Sequence, residues 1–191
     1  MDAPNENDMA SMLTHQMWMW DEVVDKDFCR YVLSKINWEE SLEGSLIADK
    51  AEDHEHRKTR VVWCNPYEPI GAVLQAFILE ANRAAGWNYD LTHFEHIQLG
   101  RYENSGHYDW HMDVVKPDEN GSQRKLSAVM LLNDSDEYEG GHLEVEGYEG
   151  NVLLKAGNLI VFPSFVKHRV TPVTKGVRYS AVCWCHGPAF K

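Results

Sequence analysis

The stretch GRYENSGHYDWHMDV, residues 100–114, carries residue types that can hold a metal. His111 and Asp113 stand two apart. On a strand, residues i and i+2 point to one face, so an imidazole and a carboxylate here can converge on one ion. A lone His-x-Asp pair is a weak signal. A downstream cluster, PSFVKHRVTPVTKGVRYSAVCW, strengthens it: His168 opens one β-prone run and Arg178 sits on the next. Two histidines and one carboxylate make the facial donor set that suits non-haem iron(II), with coordination positions left open. Open positions accommodate a chelating cosubstrate and O2. An arginine deep in a barrel needs a carboxylate partner, because an unpaired buried guanidinium is costly. A dicarboxylate that chelates iron at one end and pairs with Arg178 at the other meets both demands.

Strands are needed to hold these residues. After Gly86, β-prone runs alternate with Gly, Asn and Asp: His96–Tyr102, Tyr108–Val115, Leu126–Leu132, His142–Val145, Val152–Leu154, Leu159–Phe162, His168–Val173 and Val177–Trp184. Such close spacing predicts a sandwich or barrel. Upstream, Thr14 to Val24 reads as a strand. Asp25 caps a helical pattern of Phe28, Tyr31, Val32 and Ile36. Residues 40–58 are charge-dense and read as a loop, and Thr59 to Trp63 as a short strand. A second helix starts at Pro69, carries the stripe Ile70, Val73, Leu74, Phe77, Ile78 and Ala81, and stops at Gly86. Two helices before the runs predict a mainly β jelly roll, a double-stranded β-helix with helices packed outside. The expected organisation is a flexible tail, 1–12, and one domain, 13–191, with helical support over 13–90 and a barrel core over 91–187. The polar loop Lys116–Lys125 suits a mobile lid.

The residues Tyr102, Gly106, Tyr108, His111, Asp113, Gly140–Gly141 followed by Leu143, Pro163, His168, Arg178 and Trp184 resemble the 2-oxoglutarate/Fe(II)-dependent dioxygenases of the prolyl 4-hydroxylase type. The resemblance covers roughly residues 14–187. It implies His111, Asp113 and His168 as iron ligands. It also implies Arg178 against the distal carboxylate of 2-oxoglutarate and Tyr102 hydrogen-bonded to that cosubstrate. Trp184, on the Arg178 face of its strand, reads equally as a wall of that pocket or as core packing. The implied requirements are Fe(II), 2-oxoglutarate and O2, with ascorbate a candidate reductant. The implied reaction couples decarboxylation of 2-oxoglutarate to hydroxylation of an aliphatic C–H. Arg60 and Tyr108 are candidate substrate contacts. Two departures stand out. Collagen-type enzymes of this family place Lys where this chain has Arg178, whereas oxygen-sensing and several bacterial ones use Arg. Oxygen-sensing ones carry a second Tyr in the third barrel strand, where this chain has Leu131, which cannot donate a hydrogen bond.

Other residues read more plainly. Trp110 points away from His111 and packs. His54-x-His56 is solvated, His93 and His96 face opposite ways, and His107 and His142 lie at the surface. The four cysteines read as reduced structural thiols. The acidic run from Asp134 to Glu149 is a solvated rim that could also steer a basic peptide. The chain has 191 residues, 30 acidic against 18 basic, and a net charge of −12. That disfavours nucleic acid and anionic membranes as partners. The N-terminus has no basic or apolar signal region, so the expectation is a soluble cytoplasmic protein. The expected substrate is a prolyl residue of a protein or peptide. The alternatives are a free amino acid or other small metabolite and, further off, a non-catalytic cupin-like binding module.

Overall fold

The computed structural model describes residues 16–43 and 56–190. The expected tail, Thr14 and most of the 40–58 loop, His54 included, lie outside the described residues. The chain opens with β1 (Trp18–Trp20) and α1 (Lys26–Ser34). Asp25 caps α1 as expected, accepting from the Phe28 N–H at 2.8 Å. Short strands β2 (Leu42–Glu43), β3 (Arg57–Lys58) and β4 (Arg60–Cys64) lead to α2 (Pro69–Ala84). Pro69 starts α2 where its missing N–H costs nothing. Gly86 follows the cap in the left-handed region at φ +71°, which ends the helix.

The remaining strands are β5 (His93–Phe94), β6 (Ile97–Tyr102), β7 (His107–His111), β8 (Ser122–Leu131), β9 (Tyr138–Gly140), β10 (Leu143–Val145), β11 (Leu159–Pro163), β12 (His168–Val170), β13 (Val173–Gly176) and β14 (Arg178–Pro188). A major sheet runs β1-β11-β8-β14-β6-β4-β2, with β5 also paired to β14. A minor sheet runs β10-β12-β7-β3, and β13 pairs with β9. The two sheets face each other as a jelly roll, and the helices cover the outside of the major sheet.

Strand alternation sorts side chains between these layers. On β14, Ala181, Cys183 and Cys185 enter the core under the helices, where Ile70, Leu74, Ile78 and Ala81 of α2 also lie. Each fully buried Leu or Ile in that layer contributes about 2 kcal/mol. The intervening residues Arg178, Ser180, Val182 and Trp184 face the space between the sheets. On β6, Ile97 and Leu99 take the helix side, while Gln98 and Tyr102 take the inner side. The cysteines are free thiols, and burial pushes Cys29 and Cys64 up to about 11.

Two sequence expectations fail. The run Val152–Leu154 forms no strand, because asparagine side chains capture its backbone. Asn151 Oδ1 accepts from the Leu153 N–H, and Asn158 Oδ1 accepts from the Leu154 and Lys155 N–H groups. The supposed lid 116–125 is also corrected. Ser122 to Lys125 belong to β8, and Arg124 and Lys125 are buried. The rest is a turn in which Asp118 Oδ1 accepts from the Asn120 and Ser122 N–H groups. Among the described residues no helix is long and apolar enough to cross a membrane.

Candidate active site

Three side chains converge between the sheets. His111 ends β7, Asp113 follows two residues later, and His168 begins β12 directly across from His111. His111 Nε2 lies 3.6 Å from Asp113 Oδ1, and His168 Nε2 lies 3.6 Å from Asp113 Oδ2. The three ligand atoms all fall within 4.8 Å of one another. Each imidazole is held by its other nitrogen. His111 Nδ1 is 2.7 Å from the Asp109 carbonyl oxygen, and His168 Nδ1 is 3.0 Å from that of Val166. A carbonyl only accepts, so each Nδ1 carries the proton and each Nε2 lone pair points into the site. Burial keeps His168 below the usual imidazole range, which favours the neutral, ligating form. Burial works against the Asp113 charge, yet His168 and His111 more than offset it, and the carboxyl sits well below its usual range. A second acidic trio, Asp134, Asp136 and Glu137, differs in kind. The Lys26 ammonium bridges two of its members, at 2.6 Å from Asp134 and 3.1 Å from Glu137.

His111 is backed by a stack. The Tyr108 ring lies on His111 with centroids 3.5 Å apart, and the Arg57 guanidinium sits 4.5 Å from the Tyr108 ring centre. Arg57 is buried and donates to Gln98 Oε1 at 3.1 Å. Burial pushes the Tyr108 phenol up to about 12. Arg60, the arginine expected near substrate, is elsewhere. It is exposed on the outer face of β4, where Nε donates to Ser41 Oγ and Nη2 to the Trp38 carbonyl. The chain crosses from minor to major sheet between β3 and β4, so Arg57 faces the site and Arg60 does not.

Arg178 is 1% exposed and paired in register with Tyr102 on β6. Its guanidinium is 5.4 Å from the Tyr102 ring centre. Its Nε and Nη2 are buried without a hydrogen-bond partner. Such a group is destabilising unless a carboxylate joins it, and the apolar walls of Val129, Leu143, Val170 and Val182 leave that task to a ligand. These orphaned donors fit the distal end of a dicarboxylate. Gly141 makes room for Arg178: at φ +62°, a methyl carbon there would lie 3.0 Å from Arg178 Cδ. Trp184 lines the same cavity, about 20 Å further along β14. The Arg124 guanidinium lies 4.0 Å from its ring centre, and Trp63 packs at 6.2 Å.

Sequence reasoning missed the charged cluster beside Trp184. Glu95 accepts from Arg124 Nε at 2.5 Å and from Nη2 at 2.7 Å, and lies 2.6 Å from His186 Nε2. Arg124 Nη1 reaches the Asp113 carbonyl at 3.5 Å. Burial opposes the Glu95 charge, but His186 and Arg124 outweigh it and bring the carboxyl down to about 2. These partners are far apart in sequence, and no local pattern marks them. Gln98 was legible, since alternation puts it on the Tyr102 face of β6. Trp110 does pack outward, under Arg169 and Lys167.

Fold and site together define a jelly-roll protein whose two-histidine, one-carboxylate cluster could hold a metal ion and whose buried arginine could take a carboxylate. The 2OG-Fe(II) oxygenase superfamily matches residues 97–186. A PKHD-type hydroxylase of Aliarcobacter butzleri is 30% identical over 165 residues, 82% of this chain and 70% of that protein. One of Teredinibacter turnerae is 42% identical over 88 residues, 44% of this chain. That match spans 39% of the relative's length, so the chain covers about two-fifths of it. Among solved structures, a Pseudomonas putida prolyl-4-hydroxylase aligns with TM-score 0.70 at 23% identity, over 95% of this chain and 97% of that one. A Trichoplax adhaerens prolyl hydroxylase, in complex with a hypoxia inducible factor peptide fragment, aligns with TM-score 0.63 at 16% identity, over 92% and 86%. The chain belongs to the PKHD-type hydroxylases, and its residues 97–186 match the 2OG-Fe(II) oxygenase superfamily.

Proposed function

We propose that this protein is an Fe(II)- and 2-oxoglutarate-dependent hydroxylase acting on prolyl residues of a protein or peptide. The observation that carries the reading is the pairing of a buried His111–Asp113–His168 cluster with the partnerless Arg178 donors in one cavity. The names of its fold neighbours support the prolyl substrate. Bound iron would supply O2 activation, coupled to decarboxylation of 2-oxoglutarate, and so deliver hydroxyl to an unactivated C–H.

The chain's own residues do the positioning. His111 and His168 present their Nε2 atoms, and Asp113 stays ionised beside them. Arg178 pairs with the distal carboxylate, and Tyr102 packs against it. The apolar walls keep water from the chemistry. Trp63 is 39% exposed next to Trp184, while Arg57 and Gln98 offer polar groups nearby. An aromatic platform beside polar donors suits a proline ring and its flanking peptide groups.

The test is a substrate screen. Proline-containing peptides, free amino acids and small metabolites are incubated with the protein, Fe(II) and 2-oxoglutarate, and products gaining one oxygen are sought by mass spectrometry. The expected result is hydroxylated peptide with matching succinate, both abolished by Asp113→Ala. Product from free amino acids alone overturns the peptide reading, and full turnover by Asp113→Ala overturns the metal site.

A further inference from the structure

Strand β4 has an open edge. On one side it pairs with β6 along its whole length, Arg60 to Cys64. On the other side, among the described residues, β2 reaches only Arg60 and Val61. The N–H and C=O groups of an antiparallel strand point alternately to its two sides. Val62 to Cys64 therefore turn at least one residue's N–H and C=O away from β6, towards the side that β2 leaves uncovered. Such an edge is a ready template for another strand. A groove of about 460 Å3 is lined by these same three residues.

The facing wall of the groove comes from α1 and the turn after it, with Tyr31, Ile36, Asn37 and Glu40. Tyr31 is 49% exposed. The charged groups lining the groove are Glu40 and Glu68 against Lys35, whose ammonium lies 5.2 Å from the Tyr31 ring centre. Both glutamates are exposed. A strand added to this edge would meet Val62 and Cys64 on one face of the sheet and Trp63 on the other. Trp63 also joins the groove to the cavity. Its ring centre is 6.2 Å from that of Trp184, which lines the space holding His111, Asp113 and His168.

We propose that the open edge of β4 docks the segment flanking the target proline of a peptide substrate. The segment adds to the major sheet as an extra strand and carries Lys or Arg towards Glu40 and Glu68. Main-chain bonds to β4 supply affinity, and the glutamates supply the preference for basic residues. The proposal rests on the reading of the cavity as a prolyl-peptide site, and it adds a determinant outside that cavity. A second copy of the chain is a poorer occupant, because its net charge of −12 opposes an acidic groove.

The experiment uses the full chain and synthetic probes. Fluorescence anisotropy follows binding of a labelled tail of about eight alternating Lys and Val residues, without proline. Steady-state hydroxylation, with Fe(II) and 2-oxoglutarate, compares blocked Gly-Pro-Gly with the same tripeptide carrying the tail at either end. The variant is Glu40→Gln/Glu68→Gln. Glu68 precedes α2 but makes no capping bond through its side chain, so the helix is spared. The tail is expected to bind, and to lower the KM of Gly-Pro-Gly about tenfold from one end with kcat unchanged. The double variant should weaken tail binding about three- to tenfold and leave the blocked tripeptide unaffected. N-methylation of successive tail amides should weaken binding at every second position only, about three- to tenfold each. Uniform or absent N-methyl effects overturn strand addition. No tail binding, or binding indifferent to both glutamates, overturns the docking site. Tail binding without hydroxylation of any proline peptide upholds the strand site and overturns the prolyl reading of the cavity. Hydroxylation of the tripeptide with no gain from the tail does the reverse.

Discussion

Replacing Glu95 by Gln removes the one negative charge shared by Arg124 and His186. The carboxyl sits at about 2 in the folded protein against an ordinary 4.5. A gap of about 2.5 units corresponds to about 3 kcal/mol of stability at neutral pH. The Glu95 side chain is 23% exposed, so solvent screens little of this. A depressed carboxylate stabilises the fold fully above its unfolded value of 4.5. That contribution is lost as pH falls towards the folded value of about 2. Glu95→Gln is therefore expected to lower stability by about 3 kcal/mol near neutrality, or roughly 6–12 °C in Tm for a chain of this size. Less than half of that gap should remain near pH ~3. Urea unfolding of both proteins across this window measures it. A gap below about 1 kcal/mol near neutrality, or one that does not shrink on acidification, would refute the charge-pair account. Arg124 also covers Trp184 and reaches the Asp113 backbone, so the variant should lose turnover under conditions where it remains folded.

Two paired substitutions separate Arg57 from Arg60. Arg57→Ala removes the guanidinium from the stack on Tyr108 and His111 and should cut peptide hydroxylation about 2- to 30-fold. Arg60→Ala, on the outer face, should leave turnover unchanged, with stability altered by no more than about 0.5 kcal/mol. Equal losses in steady-state assays would contradict this assignment. Gly141→Ala puts a side chain at φ +62° and 2.8 Å from Val173 Cγ2. It should destabilise the protein by about 1–3 kcal/mol and weaken 2-oxoglutarate binding more than iron binding. Thermal unfolding and parallel titrations report the two effects separately.

Local sequence settled what depends on short-range geometry. Period-two spacing put His111 and Asp113 on one face and set Arg178 and Trp184 on one side of β14. Period-3.6 spacing, Pro69 and Gly86 fixed α2 nearly to the residue, because caps and stripes are local effects. Tertiary structure decided the rest. Whether Arg57 or Arg60 meets the site depends on where the chain crosses between sheets, which no spacing reveals. The Val152–Leu154 run has strand-like residues, yet Asn151 and Asn158 claim its N–H groups. Glu95, Arg124 and His186 form one charged cluster only because β5, β8 and β14 lie side by side. The sequence by itself determined the ligand types and the faces they occupy. The fold decided which distant donors share a buried corner, because burial turns an ordinary polar group into one that needs a ligand.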